Sequence, residues 1–132
     1  MAGSSAMATV AVLLAYSNVA EAREFFIGAL GFEEDWSDTD SGGLITRSHL
    51  RLGDAEVMID APGTHGVESP KRVGGVTQLL VIGVPDIRRH YDAARRAGAR
   101  CDGPPTPQSW GGTTYMVTDP EGYLFEFYET TE

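Results

Sequence analysis

The side chains of this chain best placed to do chemistry are Asp60 and Glu126, both carboxylates on otherwise apolar strand-like segments. Side chains alternate along a strand. Glu126 therefore shares a face with Leu124 and Tyr128, and Asp60 shares one with Met58 and Glu56. A carboxylate set among apolar groups is costly unless it is protonated or meets a cation. In that setting its proton affinity rises toward that of a general base. His49 lies on a third such segment, where alternation groups it with Arg47 and Arg51 opposite Leu44, Thr46, Ser48 and Leu50. Alternation does not say which of those two faces meets solvent. His90, in Arg88-Arg89-His90-Tyr91, reads as a solvated helix face, and His65 as an exposed linker residue. Trp110 sits between Pro- and Gly-containing turns and reads either as a stacking lid or as a ring packed under its own loop; Trp36 is similar. Cys101 is the one cysteine of the chain, so neither an internal disulfide nor a cysteine-rich metal site can form. There is no nucleophile elbow, phosphate-binding glycine loop or dinucleotide fingerprint.

The elements that must hold these groups come in two similar sets. Thr9 to Tyr16 is a continuous apolar run of strand length. Asn18 caps a helix from Val19 to Leu30, with Glu21 in capping-box position and Gly31 as the stop. Phe32 to Trp36 reads as a short strand and Ser37 to Gly43 as turn chemistry. Leu44 to Leu52 and Glu56 to Asp60 form a hairpin across Gly53-Asp54. Residues 61–75 (APGTHGVESPKRVGG) read as a loop between halves. The pattern then repeats. Val76 to Val84 is a strand, and Asp86 opens a helix with Ile87, Tyr91, Ala94 and Ala97 on one face. Gly98 stops that helix, Ala99 to Cys101 is a short strand, and a Pro-rich loop follows. Thr113 to Val117 and Tyr123 to Tyr128 are joined by the turn Asp119-Pro120-Glu121-Gly122.

Composition narrows the function classes. The 132 residues are 42% hydrophobic and 22% charged, a globular balance for one domain. A formal net charge of −9 disfavours nucleic acid and anionic lipid as partners. No apolar run reaches the ~20 residues of a membrane helix. The opening MAGSSAM is not a secretory signal; it reads as a leader outside the fold, with Met7 a second possible start, and the expected location is cytoplasmic.

Three sets of motifs carry a family resemblance. The first is Asn18 to Phe26 followed by Gly28-Ala29-Leu30-Gly31-Phe32-Glu33. The second is Val84-Pro85-Asp86-Ile87 with Ala94-Arg95-Arg96-Ala97-Gly98-Ala99. The third is Trp110-Gly111-Gly112 with Asp119 to Phe127. In this order the chain resembles the vicinal-oxygen-chelate superfamily (glyoxalase, bleomycin resistance protein, dioxygenase), in its bleomycin-resistance or PhnB-like branch. Thr113 stands where the family pattern has an arginine.

The resemblance implies an α+β fold of two tandem βαβββ modules, about 8–60 and about 76–129, forming a curled, open mixed sheet around a cavity with helices outside. It implies a homodimer, with the cavity often completed by the partner chain. The metal positions of the family carry over to Ala11, Asp60, Leu79 (with Gln78 beside it) and Glu126. Alanine and leucine cannot ligate, and two carboxylates hold a transition metal poorly, so no metal is expected. A one-residue shift bringing Gln78 inward is the route to a divalent metal site. The cavity is expected to present Leu13, Trp36, His49, Met58, Asp60, Trp110, Glu126 and Tyr128 to a ligand. The expected function is metal-independent binding of a planar aromatic or cationic compound such as an antibiotic. The alternative is a glyoxalase-like lyase or isomerase using Glu126 or Asp60 as general base.

Overall fold

The structure, a computed structural model, describes residues 8–130; the leader with Met7 lies outside the described residues. Strand β1 (Ala11–Ala15) leads to Asn18, whose side chain accepts the Glu21 N–H at 3.0 Å and opens helix α1 (Val19–Gly28). Strands β2 (Glu33–Thr39), β3 (Ile45–Leu52) and β4 (Ala55–Asp60) complete a sheet of order β1-β4-β3-β2. β1 runs parallel to β4. Such pairing needs a long crossover, and α1 is part of it. The second half repeats the plan. It has β5 (Leu79–Val84), then α3 (Ile87–Arg96) capped by Asp86, then β6 (Arg100–Cys101), β8 (Thr113–Thr118) and β9 (Leu124–Glu129). The order is β5-β9-β8-β6, with the two-residue β7 (Thr106–Pro107) pairing with β8 inside the Pro-rich loop.

Local departures from the sequence reading have identifiable causes. β2 runs on to Thr39, through residues with turn-like chemistry, because Ser37 and Asp38 pair with Ser48 and Arg47. The turn is displaced to Asp40–Gly43, where Asp40 accepts the Gly42 and Leu44 N–H groups at 2.9 and 3.0 Å. β5 begins at Leu79 rather than Val76. The linker is not wholly loop, since Ser69 caps a one-turn helix α2 (Pro70–Val73).

One apolar core joins both halves. Phe26 of α1 meets Phe125 of β9 with ring centroids 5.7 Å apart. Hydrogen bonds tie the end of β1 to the β8–β9 turn. The Tyr16 hydroxyl donates to Asp119 at 2.6 Å and the Ala15 N–H to the Tyr123 hydroxyl at 2.9 Å. Ser17 donates through its N–H and its hydroxyl to Glu121 at 2.9 and 2.8 Å. The expectation of a solvated His90 is corrected here. Its ring packs on Phe127 at 4.3 Å, with Nε2 2.8 Å from the Leu30 carbonyl and Nδ1 2.7 Å from the Tyr115 hydroxyl. Ile87, His90, Tyr91 and Ala94 fall at i, i+3, i+4 and i+7, so position 90 belongs to the buried stripe and the exposed Ala97 does not.

Candidate functional site

Helices α1 and α3 each cover one face of their own sheet and leave the other open. Leu50, Val57 and Ile59 point to the core from the first sheet. The open face is therefore carried by the alternate residues. Register places Leu13 beside Met58, Met58 beside His49 and His49 beside Trp36, one row across four strands. The question left open by alternation is thus resolved: Arg47, His49 and Arg51 share the face of Leu13 and Met58.

A β-bulge between Glu34 and Trp36 shapes this wall. A bulge sets two residues of one strand against one of its partner, and here Asp35 and Trp36 both reach His49. His49 Nδ1 is 3.1 Å from an Asp35 carboxylate oxygen and Nε2 is 3.2 Å from Glu56. The Trp36 ring lies parallel to the imidazole, at 4° and 5.6 Å between centroids. Arg51 closes on Asp35 at 2.8 Å. On the other side of the row Arg47 holds Asp60 at 2.8 Å, and the Ala61 N–H donates to the second Asp60 oxygen at 2.7 Å. Asp60 is therefore not a free carboxylate. Asp35, Glu56 and Asp60 thus all have basic partners on this face.

The open face of the second sheet is different. Val81, Glu126 and Met116 are aligned across β5, β9 and β8, and Leu124 and Tyr128 flank Glu126 along its strand. Leu79 and Val81 are exposed there. The Glu126 side chain is half-buried and makes no hydrogen bond or ion pair among the described residues. The Tyr128 ring lies over Gly83, where a Cβ would come within 2.7 Å of it. A glycine inside a strand marks such close approach, a signal the sequence reading did not use. Trp110 is 65% exposed, and its ring rests on the backbone of Gly112.

The predicted residues thus fall into two groups. Leu13, Met58, His49, Trp36 and Asp60 belong to the first sheet; Glu126 and Tyr128 belong to the second, with Trp110 in the loop before β8. A cleft of about 640 Å³ lies between the edge strands β1 and β5, lined by Val10, Val12, Val57, Leu80, Val81 and Ile82. None of the predicted ligand residues lines it.

The donor set does not fit the metal of the resembled family. Ala11 faces Glu56 rather than Asp60, which pairs with Ala15; Leu79 faces Leu124, and Val81 faces Glu126. Asp60 is already bound by Arg47. Among the described residues no three His, Cys, Asp or Glu side chains are grouped to hold a metal ion.

Residues 8–127 match the protein-family model described as the Glyoxalase/Bleomycin resistance protein/Dioxygenase superfamily. No curated protein matches the chain in sequence. Among solved structures, TioX from Micromonospora sp. ML1 is 26% identical with a TM-score of 0.79, over 95% of this chain and 100% of that one. TnmS3, an antibiotic binding protein from Streptomyces sp. CB03234, is 16% identical with a TM-score of 0.72, over 96% and 98%. A bleomycin-binding protein complexed with bleomycin is 18% identical with a TM-score of 0.71, over 95% and 100%. The last two likenesses are likenesses of fold.

Proposed function

Because this chain belongs to the Glyoxalase/Bleomycin resistance protein/Dioxygenase superfamily, we propose that it is a metal-independent small-molecule-binding protein that sequesters a planar aromatic or cationic compound, such as an antibiotic. One observation carries the reading. Glu126 is a half-buried carboxylate without a partner among the described residues, in a bed of Val81, Met116, Leu124 and Tyr128. A carboxylate so placed is stabilised by a cation that the ligand brings. Fold neighbours that bind antibiotics support the same class of ligand.

Ligands are to be found by thermal shift across cationic aromatics and antibiotics, with and without divalent metal, and measured by calorimetry. Glu126→Gln is expected to weaken a cationic ligand about tenfold or more, and Trp110→Ala an aromatic one comparably. Parent-like binding by both variants would place the site elsewhere. Conversion of the compound by the parent protein would favour the lyase or isomerase alternative.

The proposal includes a homodimer. β1 and β5 are edge strands, and Val10, Leu79 and Val81 beside them are exposed. Unpaired edges with apolar rims are covered by self-association. Sedimentation is expected to show a dimer at micromolar concentration; a monomer alone would count against it.

A further inference from the structure

The open face of the first sheet has an order that an apolar pocket would not need. Its middle row, Leu13, Met58, His49 and Trp36, crosses four strands. Three strand spacings make it about 14 Å long. On one side runs a rail made by Arg47 and Asp60. On the other run Glu56, Asp35 and Arg51. Asp60, Asp35 and Glu56 each have a basic side chain of the same face beside them, so the track does not leave these three free to pair with a cationic ligand. It does offer hydrogen-bonding groups along both edges.

His49 organises the aromatic end. Each ring nitrogen faces a carboxylate, Asp35 at 3.1 Å and Glu56 at 3.2 Å. A neutral imidazole has one N–H and can donate to only one of them; the imidazolium donates to both. That ring is the surface against which Trp36 lies flat. Trp36 keeps 42% of its surface exposed.

Resting on the ligand-binding reading above, we infer that this face is a stacking platform for a neutral, linear polycycle of about three fused rings with polar groups on both long edges. His49 is its positioning residue, holding Trp36 flat, and the cationic part of a larger ligand is left to Glu126 on the other sheet. The charged groups around His49 are Asp35 from β2, Glu56 from β4, and Arg47 and Arg51 on its own strand, with Asp38 opposite Arg47 and Glu33 opposite Arg51.

The test uses two probes of one skeleton: acridone, which is neutral with a carbonyl and an N–H on opposite edges, and aminoacridine, which is cationic. Acridone is expected to bind the parent, and to bind Trp36→Ala and His49→Gln about tenfold or more weakly. In a Trp110→Phe background, acridone should change the fluorescence of the remaining Trp36. Acridone binding that survives Trp36→Ala overturns the platform. So does binding of aminoacridine alone, abolished by Glu126→Gln, although ligand binding itself would then stand. If neither probe binds, the platform and the reading of this face fall together.

Discussion

Asp119→Ala is expected to lower the unfolding free energy by about 3–5 kcal/mol. Asp119 is fully buried and collects four donors. One carboxylate oxygen accepts the backbone N–H groups of Glu121, Gly122 and Tyr123 at 3.0, 3.0 and 2.9 Å; the other accepts the Tyr16 hydroxyl at 2.6 Å. Alanine leaves those donors facing a void, and each unsatisfied buried group costs about 1–3 kcal/mol. Asp119→Asn separates charge from bonding. Burial pushes the Asp119 carboxyl upward, against the pull of Tyr16 and the turn amides. A folded value above the unfolded one means stability present at low pH and lost as pH rises through the folded value. At neutral pH the charge is thus a cost that the donors offset. Asparagine keeps an acceptor oxygen for the turn and sheds that cost, so its loss should be smaller, about 1–2 kcal/mol. Urea unfolding of the two variants decides the matter; equal losses would show that the charge, rather than the acceptor, holds the turn.

This turn matters to the open faces as well as to stability. Through Tyr16, Ser17 and Tyr123 it fixes where β1 ends and α1 begins relative to β9. The two sheets are set against each other by a polar latch as well as by apolar packing. The Asp-Pro-Glu-Gly signature visible in the sequence has its physical reason here: Gly122 takes a φ of 103°, and the aspartate folds the turn back on itself.

The repeated βαβββ plan was legible because its punctuation is local. Asn18 and Asp86 cap, and Gly31 and Gly98 stop with positive φ, within a few residues of the helices they bound. Alternation also grouped Leu124, Glu126 and Tyr128, and it grouped Arg47, His49 and Arg51. It could not reveal the bulge that swings Asp35 and Trp36 to the same side of β2, since a bulge depends on pairing with β3. Nor could it foresee that Asp60 would be neutralised by Arg47, thirteen residues away in sequence and adjacent in space. The two carboxylates of equal promise in sequence therefore differ in structure. Asp60 is engaged, and Glu126 is not.

His90 is the position at which the sequence reading and the structure differ most, and its replacement is expected to have the second large effect. His90→Ala should cost about 2–4 kcal/mol, from a lost half-buried ring and two broken hydrogen bonds. The ring bridges the halves, touching Leu30 after α1, Tyr115 on β8 and Phe127 on β9. The neutral ring satisfies both contacts when Nε2–H donates to the Leu30 carbonyl and Nδ1 accepts from the Tyr115 hydroxyl. Protonation would leave a donor at Nδ1 facing a hydroxyl that must then turn its own proton elsewhere. Burial lowers the proton affinity of His90, and the Leu30 carbonyl opposes that only in part. The folded value lies below the unfolded one, so the unfolded chain takes up the proton first. The stability from His90 is accordingly complete above the ordinary histidine value of 6.5 and is lost as pH falls below it. Chemical unfolding at neutral pH and at mildly acidic pH should show this loss in the parent. In His90→Gln, where no titrating ring remains at the seam, the same acid step should be reduced. An undiminished step in that variant would move the acid sensitivity to some other group.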